Sequence, residues 1–146
     1  VFINEWVYQY ICTGDNFYYI TYENKNLSDK EIRKNSDNDK DYKRIIKKCD
    51  IYGKNNKTII DFTNCYLFSM NKNTLIYIDR NDTFRAYTYN LKTNSVDLLS
   101  QNDYISDIIF LNESKVCYLD NAKDYDYVEN IMICNIDGTN EQILVD

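Results

Sequence analysis

Hydrophobic and polar positions along the chain repeat in one short pattern. Polar turn residues lead into a run of apolar, aromatic and β-branched residues with a Tyr at its centre. The three copies are Asp15-Asn16-Phe17-Tyr18-Tyr19-Ile20-Thr21, Asn73-Thr74-Leu75-Ile76-Tyr77-Ile78-Asp79 and Ser114-Lys115-Val116-Cys117-Tyr118-Leu119-Asp120. Runs of this kind, bounded by turn residues, predict buried strands reached through tight hairpins. The aligned tyrosines Tyr19, Tyr77 and Tyr118 are 58 and 41 residues apart.

Aligning on those tyrosines extends the repeat in both directions. An apolar segment precedes each Tyr strand, at 6–12, 65–70 and 105–111, and forms a first strand (A) to its second (B). A third strand (C) follows at 45–52, 85–91 and 130–136, and a fourth (D) at 58–62, 96–99 and 142–145. The same polar–apolar pair precedes each C–D turn: Asp50-Ile51, Asn90-Leu91 and Asn135-Ile136. Strand B is apolar almost throughout, as a strand covered on both faces must be. In the second unit, strand C alternates, with Arg85, Tyr87, Tyr89 and Leu91 on one face. Four strands per unit at a period near 40 residues is β-propeller spacing. The predicted fold is therefore all-β, a propeller-like array of three four-stranded antiparallel blades in a single domain over 1–146. Blade 1 covers about 4–62, blade 2 about 64–100 and blade 3 about 104–146.

The first unit is longer because of a polar insertion at 23–42, between its strands B and C. Within it, Ser28-Asp29-Lys30-Glu31 has the capping-box form and predicts a short helix through Arg33 or Lys34. The rest reads as a solvated excursion. Residues 1–3 align with the end of a strand D, so a preceding blade is expected or the array closes onto another blade. Three blades do not close a ring and leave two open faces with strand edges. The chain is thus expected to be half of a six-bladed propeller completed by a homodimer, or a fragment of a longer one.

Composition sharpens this picture in a few places. The 146 residues include 15 Tyr and 3 Gly but no Pro and no His. Abundant Asn, Lys and Ile fit a low-GC bacterial genome, and Asn and Asp must then make most of the turns, since both tolerate left-handed backbone. A net charge of −6 argues against nucleic acid or an anionic membrane surface as a partner. No transmembrane segment and no signal peptide are visible; the chain starts at Val1, so a removed leader would be out of view. The five cysteines, Cys12, Cys49, Cys65, Cys117 and Cys134, lack C-x-x-C spacing and all fall in predicted strands, where buried free thiols are expected.

At the Tyr strands the chain resembles the six-bladed propellers of lipoprotein-receptor type and their bacterial relatives. The receptor repeat has a Tyr-Trp-Thr-Asp strand, an Ile-x-Arg strand and an Asp-Gly-Ser turn. Its counterparts here are Tyr19-Ile20-Thr21, Tyr77-Ile78-Asp79 and Tyr118-Leu119-Asp120, with Ile133-Cys134-Asn135-Ile136-Asp137-Gly138-Thr139 downstream. The resemblance implies the fold and a binding surface that does no chemistry. The receptor's own ligands are not carried over, because the Trp is replaced in every copy and the Arg is missing.

Searching for chemistry gives the same emphasis. With no His and no Gly-x-Ser-x-Gly elbow, the common nucleophile triads are excluded, and no catalytic residue is assigned. Asp37-x-Asp39-x-Asp41 imitates the start of a calcium loop but has Tyr42 and Lys48 where that loop needs Gly and Glu. The acidic stretch Asp120, Asp124, Asp126 and Glu129 is a weaker cation candidate. Both read as solvated loop charge, so no metal and no cofactor are expected. The basic run Lys43, Arg44, Lys47, Lys48 sits beside acidic residues and reads as locally compensated. Tyr combines a flat apolar face with a hydroxyl, and Tyr104, Tyr125 and Tyr127 lie in or beside predicted loops. These three are the candidate ligand-binding residues. The expected function is a non-catalytic scaffold that recognises protein or peptide, secreted or on the cell envelope, with the cytoplasm as the alternative. An accessory propeller of a larger hydrolase and a carbohydrate-binding module are the other readings.

Overall fold

A computed structural model of the chain describes residues 5–23, 43–121 and 129–145. The strands pair into three four-stranded antiparallel sheets, each in simple sequence order. The first holds β1 (Gln9–Thr13), β2 (Asn16–Tyr22), β3 (Arg44–Asp50) and β4 (Lys57–Ile60). The second holds β5 (Cys65–Asn71), β6 (Thr74–Asp79), β7 (Arg85–Asn90) and β8 (Val96–Leu98). In the third are β9 (Ile105–Phe110), β10 (Lys115–Asn121), β11 (Glu129–Asn135) and β12 (Gln142–Val145). By contact the chain forms two compact units, Val1–Cys65 and Tyr66–Asp146. The capping box at Ser28, the acidic run at Asp37 and the strand at residues 1–3 lie outside the described residues.

The repeat aligned from sequence recurs as a repeated hydrogen-bond scheme. The apolar member of each polar–apolar pair donates its backbone N–H across the sheet to the A–B turn: Ile51 to Asp15, Leu91 to Asn73 and Ile136 to Ser114, at 3.0, 2.8 and 2.9 Å. In each C–D turn one Asn stands in left-handed backbone, Asn55, Asn94 and Asn140, with φ of 56°, 59° and 55°. A chain poor in Gly uses Asn there because its short polar side chain lowers the cost of that conformation. Strand ends differ from the sequence reading where a turn captures the backbone. β3 stops at Asp50, whose carboxylate accepts the N–H groups of Tyr52 and Lys54. β1 begins at Gln9, three residues later than expected.

Tyr19, Tyr77 and Tyr118 are all buried. In the second unit, Ile76, Ile78 and Ala86 of the second sheet, with Leu99 just past β8, pack against Ile108, Val116, Tyr118, Met132 and Cys134 of the third. In the first unit the centre of the sheet is polar, because Lys47, opposite Tyr19, forms an ion pair with Glu5 at 2.8 Å. The rest of the basic run is absorbed as well: the Arg44 guanidinium lies 4.1 Å from the centre of the Tyr8 ring and Lys43 pairs with Glu23.

All five thiols lie within strands and none is joined in a disulfide. Cys49, Cys65 and Cys134 are buried as expected, but Cys12 is exposed on β1. Burial, reinforced by Glu141 and Asp137, pushes the Cys134 thiol up to about 11. Iodoacetamide on the native protein at pH 8 should therefore modify Cys12 first, with Cys134 reacting only on unfolding. Peptide mass mapping that found Cys134 alkylated as fast as Cys12 would contradict the packing.

Candidate functional site

In an antiparallel four-stranded meander, the A–B and C–D turns leave one end of the sheet. The B–C link and the connector to the next sheet leave the other. In the second unit that other end gathers the β6–β7 link (residues 80–84) and the β8–β9 connector (residues 99–104). Tyr104 sits there, 47% exposed.

The backbone beneath Tyr104 is unusual. Thr83, Phe84 and Tyr104 all have positive φ, of 49°, 60° and 61°. β-Branched and aromatic residues rarely adopt that region, and each costs on the order of 1 kcal/mol or more. The neighbourhood holds them there. Tyr104 donates its N–H to the Thr83 carbonyl at 2.7 Å and Ile105 to that of Phe84 at 3.1 Å, stitching connector to link. Asp103 accepts from Thr83 Oγ1 at 2.9 Å and from Arg85 Nε at 2.7 Å. Asp82 accepts from the Tyr87 hydroxyl and faces the Arg85 guanidinium. Burial, then the hydrogen bond to Asp82 and the charges of Asp82 and Asp79, push the Tyr87 phenol up to about 12. It therefore stays protonated and donates.

A second polar cluster anchors the same connector from inside. The Tyr118 hydroxyl lies 3.0 Å from Ser100 Oγ, accepts from Asn102 Nδ2 at 2.9 Å and donates to Glu141. Burial, with the Glu141 hydrogen bond second, raises the Tyr118 phenol well above its ordinary value. Asp120 is also raised, first by burial and then by Glu141 and Asp103. The connector is thus held at Ser100 and Asn102 on one side and at Asp103 and Tyr104 on the other. This arrangement presents an exposed tyrosine on a backbone held by hydrogen bonds. Its carboxylates Asp82 and Asp103 are taken up by Arg85, Tyr87 and Thr83.

Among the residues singled out from sequence, Tyr104 is in this cluster, while Tyr125 and Tyr127 lie outside the described residues. So do Asp124 and Asp126 of the acidic stretch. No three His, Cys, Asp or Glu side chains converge on a metal position among the described residues. Sequence reasoning passed over Asp82, Thr83, Arg85, Tyr87 and Asp103. The available signal was two acidic turns, Asn81-Asp82 and Asn102-Asp103, that the meander brings to the same end as Arg85.

No protein-family model matches the sequence, and no curated protein is significantly similar to it. Solved structures do match its shape. TolB from Acinetobacter baumannii superposes with a TM-score of 0.63 at 12% identity, over 90% of this chain and 30% of that one. A chain of a nidogen/laminin complex gives 0.62 at 16%, over 92% and 45%. The acylaminoacyl peptidase of Pyrococcus horikoshii gives 0.65 at 12%, over 97% and 25%. All three are β-propeller proteins. These likenesses show the fold: the chain is a β-propeller array of three blades. It spans between a quarter and just under half of each neighbour's length. No helix among the described residues is long and apolar enough to cross a membrane.

Proposed function

We propose that the chain is a non-catalytic binding scaffold that recognises protein or peptide, with Tyr104 and the link beneath it as a contact point. The observation that carries this reading is the strained trio Thr83, Phe84 and Tyr104. Backbone strain persists only where its surroundings over-determine it, and it concentrates at binding and catalytic loops. Here it fixes an exposed tyrosine, a residue type enriched among binding hot spots. That one matched chain was solved in a nidogen/laminin complex is compatible with a protein ligand. The same reading puts the chain outside the cell or on its envelope, with the cytoplasm as the alternative.

The test is an array of immobilised synthetic peptides probed with the chain and with Tyr104→Asn. Asn keeps the left-handed backbone while removing the ring. Binding should fall about tenfold or more in the variant with the melting temperature unchanged. A blank array together with turnover of a peptide or ester substrate would refute the proposal.

A second reading has its own support. Nearly the whole chain, 97%, fits within 25% of the archaeal acylaminoacyl peptidase. As an accessory propeller of a larger hydrolase, the chain would share a polypeptide with a catalytic domain, which sequencing of the full reading frame would reveal.

A further inference from the structure

We infer that the peptide met at Tyr104 is a proline-rich segment in the polyproline II conformation. The inference rests on the proposed binding role of Tyr104 and adds to it the chemistry of the partner. Its first support is the charge at the site. Asp82 and Asp103 are engaged by Tyr87, Thr83 and Arg85, so these carboxylates are already matched. Arg80, part-exposed, lies over the Phe84 ring, 5.9 Å from its centre. The fully exposed positions of the β6–β7 link and the β8–β9 connector are Asn81, Thr83, Gln101 and Tyr104. None of the four is charged. Complementary charge selects a partner only where charge is on offer, so this rim suits a neutral one.

The backbone argues against the other common ways of holding a peptide. Adding a strand needs a row of unpaired N–H and C=O groups, but here the link and the connector pair with each other. Catching a chain terminus needs a nest of free N–H groups. Those of Asn81, Arg85, Asn102 and Tyr104 are donated to Asp79 Oδ1, the Asp82 carbonyl, Ser100 Oγ and the Thr83 carbonyl. Acidic motifs need a cluster of arginines, and Arg85 is held by Asp82 and Asp103. A helix needs a continuous apolar groove, whereas polar Asn81, Thr83 and Gln101 interrupt the surface here.

What the site offers is aromatic residues on a held backbone, with neutral hydrogen-bonding groups around them. Tyr104 stands beside Phe84 on the paired segments, and Phe84 meets Tyr66 edge-on with ring centres 5.4 Å apart. Phe84 and Tyr66 are both part-exposed. Polyproline II suits such a site. It makes no internal hydrogen bonds, so its carbonyls take single bonds from hydroxyl and amide donors, and its pyrrolidine rings pack on aromatic side chains. Both sides are also preformed, the peptide by its prolines and the site by its hydrogen bonds, which lowers the entropy lost on binding.

Fluorescence anisotropy of labelled peptides, titrated with the whole chain to roughly 500 μM, tests this. The probes are a peptide of repeated Ala-Pro-Pro units and, at equal length, a Gly-Ser peptide and a strand-forming Val-Thr peptide. The proline-rich probe should bind at least tenfold more tightly than either of the others. Tyr104→Asn should weaken it about tenfold or more, Tyr104→Phe should stay within about fivefold of the wild type, and Tyr52→Asn, exposed in the first unit, should change nothing. Raising sodium chloride from about 50 to 500 mM should alter the affinity less than about twofold, since no ion pair is made. Should Tyr104→Asn disturb the connector, amide NMR shifts of the wild-type chain read the same contact: the proline-rich probe should move residues 83–84 and 101–105. Tyr104-dependent binding of the Gly-Ser or Val-Thr probe in place of the proline-rich one overturns the inference and leaves the peptide reading standing. Failure of all three probes, with Tyr104-dependent retention of a neutral oligosaccharide, overturns both.

Discussion

Replacing Glu5 with alanine is expected to lower the unfolding free energy by about 3–5 kcal/mol. Lys47 Nζ lies 2.8 Å from both Glu5 oxygens, and the two side chains are only 6% and 9% exposed. Removing the carboxylate leaves an ammonium buried at the centre of the first sheet, and that uncompensated charge dominates the loss. The pair itself contributes far less than its removal suggests, because forming it first strips both ions of water. Glu5→Leu combined with Lys47→Met should accordingly fall within about 1 kcal/mol of the wild type or exceed it. The fold already supports this exchange, since Met132 pairs with Tyr118 in the third sheet at the position where Lys47 pairs with Tyr19 in the first. Urea denaturation of Glu5→Leu, Lys47→Met and the double variant supplies the cycle. A Glu5→Ala loss below about 1 kcal/mol would mean that the pair is not closed to water.

This pair also marks where the sequence stops being legible. The three sheets could be read because the Tyr strand is apolar in period and recurs with the same turn residues around it. The repeated bonds from Ile51, Leu91 and Ile136 show that the alignment was physical as well as textual. Glu5 and Lys47 are 42 residues apart, and a lysine within a strongly basic run carries no mark of burial. The candidate site has the same difficulty. Tyr104 was visible as a tyrosine in a loop, but Asp82, Arg85, Tyr87 and Asp103 are ordinary surface types. They acquire meaning only when the meander brings the β6–β7 link to the β8–β9 connector. Positive φ at Thr83 and Phe84 was hidden for a further reason, since neither residue type favours it and only tertiary bonds impose it.

Gly138→Ala should cost about 3 kcal/mol, and Gly14→Ala only about 1. The two glycines share a left-handed backbone, with φ of +78° and +56°, so both substitutions carry the same steric cost of placing a Cβ there. They differ in what that Cβ would meet. At Gly14 nothing lies within 4 Å, whereas at Gly138 the Leu99 carbonyl oxygen would be 2.4 Å away and its carbon 3.3 Å. A backbone carbonyl cannot swing aside as a long side chain can, so the third-sheet turn and the end of β8 must separate. The damage should be local before it is global. Leu99 donates its N–H to the Ala86 carbonyl at 2.9 Å, and this bond sits at the point being pushed apart. In Gly138→Ala, the Leu99 amide should lose hydrogen-exchange protection well before the amides of β6, while Gly14→Ala leaves it unchanged. At about 2–4 °C per kcal/mol for a chain of this size, the two variants should melt some 4–8 °C apart. Equal melting temperatures would show that left-handed backbone alone explains Gly138 and that the two sheets do not meet at Leu99.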